Sequence, residues 1–161
     1  MRISKSFFTA ALALFTTPAF ADPPSYMDPL LVAIWEVESS RNPGGVPFYA
    51  DSGKTAGPLC ISAAYFADSR KPGRWPESVF DLEYSCQVFR AYMARWGSPQ
   101  RIQAQAPGMS REEAWSRLHN GGPQALKAKP GTKKRQNLDR YWGKVKKILK
   151  RLEQTSPSRD I

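Results

Sequence analysis

Residues 28–62 read DPLLVAIWEVESSRNPGGVPFYADSGKTAGPLCIS, and the rest of the chain can be arranged around them. Asp28 is a helix N-cap, and Pro29 suits a first helical position, where its missing N–H removes nothing. Leu30, Ile34 and Val37 follow helical spacing, as do Leu31, Trp35 and Glu38. The helix is therefore apolar over a wide face, and Glu38 stands at the edge of that face in the last turn. A carboxyl there is either an ordinary exposed charge or a partly desolvated group beside a helix C-terminus. The second environment disfavours the anion and is expected to raise the pKa, which suits a general acid. A Pro/Gly loop follows, then the turn DSGK carrying Asp51, then a strand-like exit through Gly57 to Ile61.

Outward from this stretch, Ser62 to Asp68 reads as a short helix with Tyr65 and Phe66. Trp75 sits in a Pro/Gly loop and suits either stacking on a sugar or plugging a core edge. Phe80 to Trp96 is the strongest helical pattern. Leu82, Cys86, Phe89, Met93 and Trp96 form one stripe, and Gly97 stops it. Ser98 to Met109 reads as a connector. Ser110-x-x-Glu113 is a capping box for a helix that stops at His119-Asn120-Gly121-Gly122-Pro123. The two glycines there allow a sharp turn and close approach of a ligand. Asn120 offers both a donor and an acceptor. Lys127 to Gln136 reads as a basic loop. Asn137 to Leu152 returns to helix, with Leu138, Tyr141, Trp142, Val145, Ile148, Leu149 and Leu152 inward and Lys/Arg outward. The fold class expected is α+β, mostly helical.

Residues 1–21 have the form of a secretory leader: Arg2 and Lys5, an apolar run from Phe7 to Phe15 too short to span a bilayer, and Ala19-Phe20-Ala21 for cleavage. The expected division is a leader over 1–21, one domain over 22–152 and a flexible tail over 153–161. Losing Arg2 and Lys5 leaves +8 of the formal +10. An exported chain of that charge is expected in the periplasm or outside the cell. Its partners would be anionic wall polymers rather than nucleic acid, with no stable membrane insertion after cleavage. The two cysteines, Cys60 and Cys86, suggest one disulfide in an oxidising compartment. A lone histidine builds no zinc site, and no cofactor motif is present.

Four ordered blocks, IWEVESSRNP, DSGKTAGPLCIS, RLHNGGP and YWGKV, resemble the invertebrate-type lysozymes and their bacterial lysozyme-like relatives. More loosely they resemble the soluble lytic transglycosylases, with their Glu-Ser pair and later G-x-x-Q-I element. The resemblance spans about residues 30–149. It implies a lysozyme-like fold, with a small β-region at about 45–61 walling the cleft. The Glu38 helix would then pack between the helices at 80–96 and 137–152. It also implies a monomeric peptidoglycan-cleaving glycosidase without cofactor, cutting the β-1,4 bond between N-acetylmuramic acid and N-acetylglucosamine. Glu38 takes the acid position and Asp51, thirteen residues on, the second acidic position. Ser39, Tyr65, His119, Asn120 and Gly121 fall at substrate-side positions. Two departures stand out. Cys60 occupies the place of the Gln in G-x-x-Q-I, and the chain lacks the many cysteines of the animal proteins. A single-acid lytic transglycosylase, or a wall-binding protein without activity, remain the alternatives.

Overall fold

Each helix begins on a short side chain that accepts a hydrogen bond from the backbone two or three residues ahead. The caps are Asp28, Ser62, Asp81, Ser98, Ser110 and Thr132. The structure, a computed structural model, describes residues 22–155. The expected leader and the last six residues of the expected tail lie outside the described residues. The helices are α1 (Pro29–Ser39), α2 (Ala63–Ser69), α3 (Leu82–Trp96), α4 (Pro99–Gln105), α5 (Arg111–Gly121) and α6 (Lys133–Thr155). Between α1 and α2 lie three two-residue strands, β1 (Tyr49–Ala50), β2 (Thr55–Ala56) and β3 (Ile61–Ser62). They form an antiparallel sheet in chain order, with Tyr49 opposite Ala56 and Ala56 opposite Ile61. The mostly helical α+β architecture expected from the sequence is the one adopted.

α1 is the core helix. Leu30 to Trp35 are buried on every side, the pattern of a helix surrounded by protein. Its main packing partner is α6. α3 packs chiefly on α2, with α5 beyond. Ser40, left-handed at φ 51°, ends α1. The Trp35 indole then donates to Asn42 O at 2.6 Å, folding the loop back under the helix. Phe89, Met93, Leu59, Ile61, Leu118, Leu138 and Val145 complete the core.

Two segments read as connectors contain helix. α4 occupies most of 98–109, started by Ser98 and Pro99 and held by buried Ile102. One apolar anchor in seven residues is too little for a periodic signal. α6 begins at Lys133 rather than Asn137, because Thr132 caps it and the exposed lysines of its first turn need no core contact. Trp75 plugs a core edge, its indole donating to Ile61 O at 2.9 Å.

The expected disulfide is absent: Cys60 and Cys86 are free thiols. Cys60 lies against the last turn of α1, its Sγ 3.5 Å from Glu38 O. Cys86, fully buried on α3, lies near Tyr26 and Asp28, the cap of α1, and near Asp81 and Glu83 at the start of its own helix. The ten residues from Asp28 to Glu38 rise about 15 Å, while a disulfide needs Cα atoms within about 7 Å. Burial pushes both thiols up to about 12, with Glu38 adding to the effect at Cys60. Titration of the unfolded, unreduced chain should therefore find two thiols. In the folded protein both should react slowly with alkylating reagents at neutral pH, since the thiolate is the reactive form. Zero thiols in the unfolded chain would overturn this pairing assignment.

Candidate active site

Glu38 follows the buried run of α1 by three residues, in the half-buried last turn. Its side chain keeps 16% exposure, so it is not the free surface charge that the last turn of a helix normally carries. Tyr141, buried on α6, donates to Glu38 Oε1 at 2.6 Å. His119, in the last turn of α5 and 3% exposed, places Nε2 at 3.5 Å from the same oxygen. Its Nδ1 meets the Tyr65 hydroxyl at 3.3 Å. One imidazole ring thus bridges the two groups, with Nδ1 toward the Tyr65 hydroxyl and Nε2 toward the Glu38 carboxyl. Four elements thus converge on one carboxyl: α1 supplies it, α6 and α5 hold it, and α2 holds the holder.

These contacts reverse the expected titration of Glu38. Burial does push its pKa up, as the apolar helix face implies, and burial is the largest single influence. Hydrogen bonds from His119, Tyr141 and Cys60, with the charge interaction with His119, together outweigh it. The Glu38 carboxyl therefore lies below its ordinary range. The sequence shows the apolar face but not the donors, which arrive from residues far along the chain.

The cleft has a volume of about 290 Å³. Glu38, Asp51, Tyr65, His119 and Asn120 all line it, with Cys60, Ser62, Asp68, Tyr92, Gly122 and Pro123 among the rest. Asp51 sits in the turn between β1 and β2, itself left-handed at φ 49°, and is exposed. Glu38 and Asp51 are therefore brought to one cavity in unlike settings, one in the floor and one at the rim. Tyr65 packs flat on Tyr92, ring centroids 3.7 Å apart, which fixes the ring that supports His119. Two residues placed at the site by resemblance do other work. The Ser39 hydroxyl donates to Trp35 O and accepts from Asn42 N–H, closing the end of α1. Gly121 faces away from the cleft toward α6, where a Cβ would stand 2.6 Å from Leu138 Cδ2. Its neighbour Gly122 is the one that lines the cavity.

Comparison with solved structures places this geometry. A lysozyme from Tapes japonica superposes with a TM-score of 0.57 at 23% identity, over 76% of this chain and 89% of that one. The Meretrix lusoria lysozyme, in its complex with Aeromonas hydrophila PliI, gives 0.55 at 26% identity, with the same coverage of each chain. The fold is lysozyme-like. No family model and no curated protein matches the sequence. On this lysozyme-like frame the cleft lies between the small sheet with α2 on one side and α5 on the other, with Glu38 in its floor.

Tyr141 is the functional residue that pattern reading passed over. Its spacing with Leu138, Val145 and Ile148 marks it as core, which it also is. The available signal was chemical: a buried tyrosine hydroxyl needs a partner, and the rest of that stripe is aliphatic or tryptophan.

Proposed function

We propose that the chain is a peptidoglycan-cleaving glycosidase of the lysozyme type, acting on the β-1,4 bond between N-acetylmuramic acid and N-acetylglucosamine. The observation that carries this reading is the Glu38 carboxyl, held by Tyr141 and His119 in the floor of an open cleft on a lysozyme-like fold. Protonated Glu38 gives its proton to the leaving glycosidic oxygen. Asp51, across the cavity, stabilises the positive charge that develops at the sugar or attacks it. Bound glycan expels water from around Glu38, which works against the anion and returns the proton to the acid. His119 and Tyr141 fix the direction in which that proton is delivered. Tyr65, Asn120 and the backbone at Gly122 are offered to the sugar's hydroxyl and N-acetyl groups. The site of action is outside the cytoplasm, in the periplasm or beyond it.

A second reading is favoured by the contrast between the two carboxyls. Only Glu38 is built into the floor, whereas Asp51 is exposed in a turn. A lytic transglycosylase needs the single acid alone and releases an anhydro-sugar. Turbidity of purified sacculi, followed by mass spectrometry of the soluble fragments, separates the readings. Reducing-end muramic acid supports hydrolysis and anhydro-muramic ends support transglycosylation. Tight sacculus binding without any fragment at any pH would defeat both.

Tyr141→Phe tests the hold on Glu38. Losing a donor to the carboxylate weakens the anion, so the Glu38 pKa should rise toward its ordinary range. Turnover that requires protonated Glu38 should then persist to higher pH, with the alkaline limb of the pH–rate profile moving up. The depressed pKa also stabilises the folded state at pH values above the unfolded Glu range. That stabilisation fades as the pH falls through the titration of Glu38, and Tyr141→Phe should shrink it. An unmoved alkaline limb would show that Tyr141 does not control the acid.

A further inference from the structure

We propose that the basic groove between the end of α1 and the second half of α6 is a docking surface for a phosphodiester-linked polyol polymer of the cell wall. The proposal rests on the wall reading above and names a partner that this reading does not require. The groove has a volume of about 630 Å³. Lys144, Lys147 and Lys150 line it on an i, i+3, i+6 ridge, with Arg151 beside them and Val37 and Ile148 in the floor. Glu36, the acidic residue lining the groove, is already held by Arg41 at 3.0 Å and Arg151 at 2.6 Å. The three lysines are exposed, and none of them enters an ion pair among the described residues. The groove is thus a concave surface whose one negative charge is neutralised by arginine and whose three lysine charges are unspent.

The partner follows from the kind of charge and its spacing. Lysines present compact point charges without the planar fork that selects a carboxylate geometry, so recognition here is by charge density along a line. The ridge rises about 4.5 Å from one lysine to the next. A chain with one phosphate per short polyol repeat offers anions at a comparable pitch, and its carbons can lie over Val37 and Ile148. Peptidoglycan stem peptides recur only once per disaccharide and hold their carboxylates in clusters on branches rather than along a line. A membrane surface is a poor match, because the exposed large apolar side chains among the described residues are Tyr26, Val46 and Tyr49, none of them on α6. At about 100° per residue, Glu36 and Glu38 project from nearly opposite sides of α1. One lines the groove and the other the cleft. The polymer can therefore be held while a glycan strand occupies the cleft.

The test is binding of the full mature chain to purified sacculi that retain their phosphodiester polymer and to the same sacculi stripped of it by hydrofluoric acid. Glu38→Gln serves as the background, so that cleavage does not erode the target. Intact sacculi should bind more tightly than stripped ones, with an affinity that falls as salt rises. Replacing Lys144, Lys147 and Lys150 together by Gln should cost roughly a hundredfold, at about a factor of five per lysine near an anionic surface. Replacing Lys71, Lys127 and Lys129 by Gln removes the same charge elsewhere and should cost under about threefold if the groove is the site. Equal binding to stripped sacculi overturns the proposal in favour of peptidoglycan carboxylates. Equal losses in the two triple variants overturn it in favour of diffuse charge, and comparable binding to anionic phospholipid vesicles overturns it in favour of a membrane. Loss of cleavage in the Glu38-intact protein, with polymer binding unchanged, would count against the glycosidase and leave the groove standing.

Discussion

Glu38→Gln is expected to lower turnover on sacculi by at least about 10²-fold, the lower end of what general acid catalysis contributes, with fold and wall binding retained. The substitution keeps an oxygen able to accept from Tyr141 at the position now 2.6 Å away, so the floor of the cleft is preserved while the transferable proton is lost. Retention of the circular dichroism spectrum and of sacculus affinity would separate this from unfolding. A variant keeping half its activity would end the glycosidase reading. Asp51→Asn divides the remaining possibilities. Asp51 is exposed in its turn, so removing its charge should leave stability nearly unchanged and any large loss is chemical. A heavy loss places it in the reaction as nucleophile or charge stabiliser. Near-normal activity, with anhydro-sugar products, moves the mechanism to the single acid.

Gly57→Ala is expected to be the most damaging small change in the β-region. Gly57 has φ +74°, and a Cβ there would stand 1.8 Å from Val79 O and 2.7 Å from Val79 C. Those are backbone atoms, so no side chain can swing aside. Left-handed strain adds about 1–2 kcal/mol for a residue with a Cβ, and the backbone must also separate from the segment around Val79, which is fully buried. Together a loss of about 4 kcal/mol or more is expected, at the exceptional end for point changes. It should appear as a sharply lowered denaturant midpoint or as failure to fold. The sheet places Asp51 and Cys60 beside the cleft, so residual folded protein should also lose activity. An unfolding free energy within about 1 kcal/mol of the parent's would show that the two segments are not locked together as described.

Much of the fold was legible because its signals are local. The caps at Asp28 and Ser110, the α1 pattern and the α3 stripe are each contained within a few turns, and the structure follows them. α4 escaped because Ile102 is its lone buried residue, and the start of α6 escaped because solvent-facing lysines carry no periodicity. The chemistry of the site was legible only in part. Ordered motifs single out Glu38, Asp51, Tyr65, His119 and Asn120, and the structure gathers them in one cavity. What the motifs cannot carry is direction. Whether Glu38 gains or loses its proton depends on a balance between burial and donors, and the Tyr141 and His119 donors come from α6 and α5. Cys60 and Cys86 teach the same point: an even count says that two thiols can pair, while their places at opposite ends of α1 decide that they do not.

The bond from Tyr141 to Glu38 joins residues 103 positions apart, and this sets an order of events in the making of the protein. A chain emerging from its N-terminus presents Glu38 early, while Tyr141, which donates to its carboxyl, belongs to the last of the described helices. Until α6 docks, the apolar flank of α1 that it covers stays open and the acid lacks its closest donor. The full hold on Glu38 is therefore a product of completion: a nascent or truncated chain ending before residue 141 has the carboxyl but not its Tyr141 donor. For a protein proposed to cut cell wall, competence then arrives only with the finished fold.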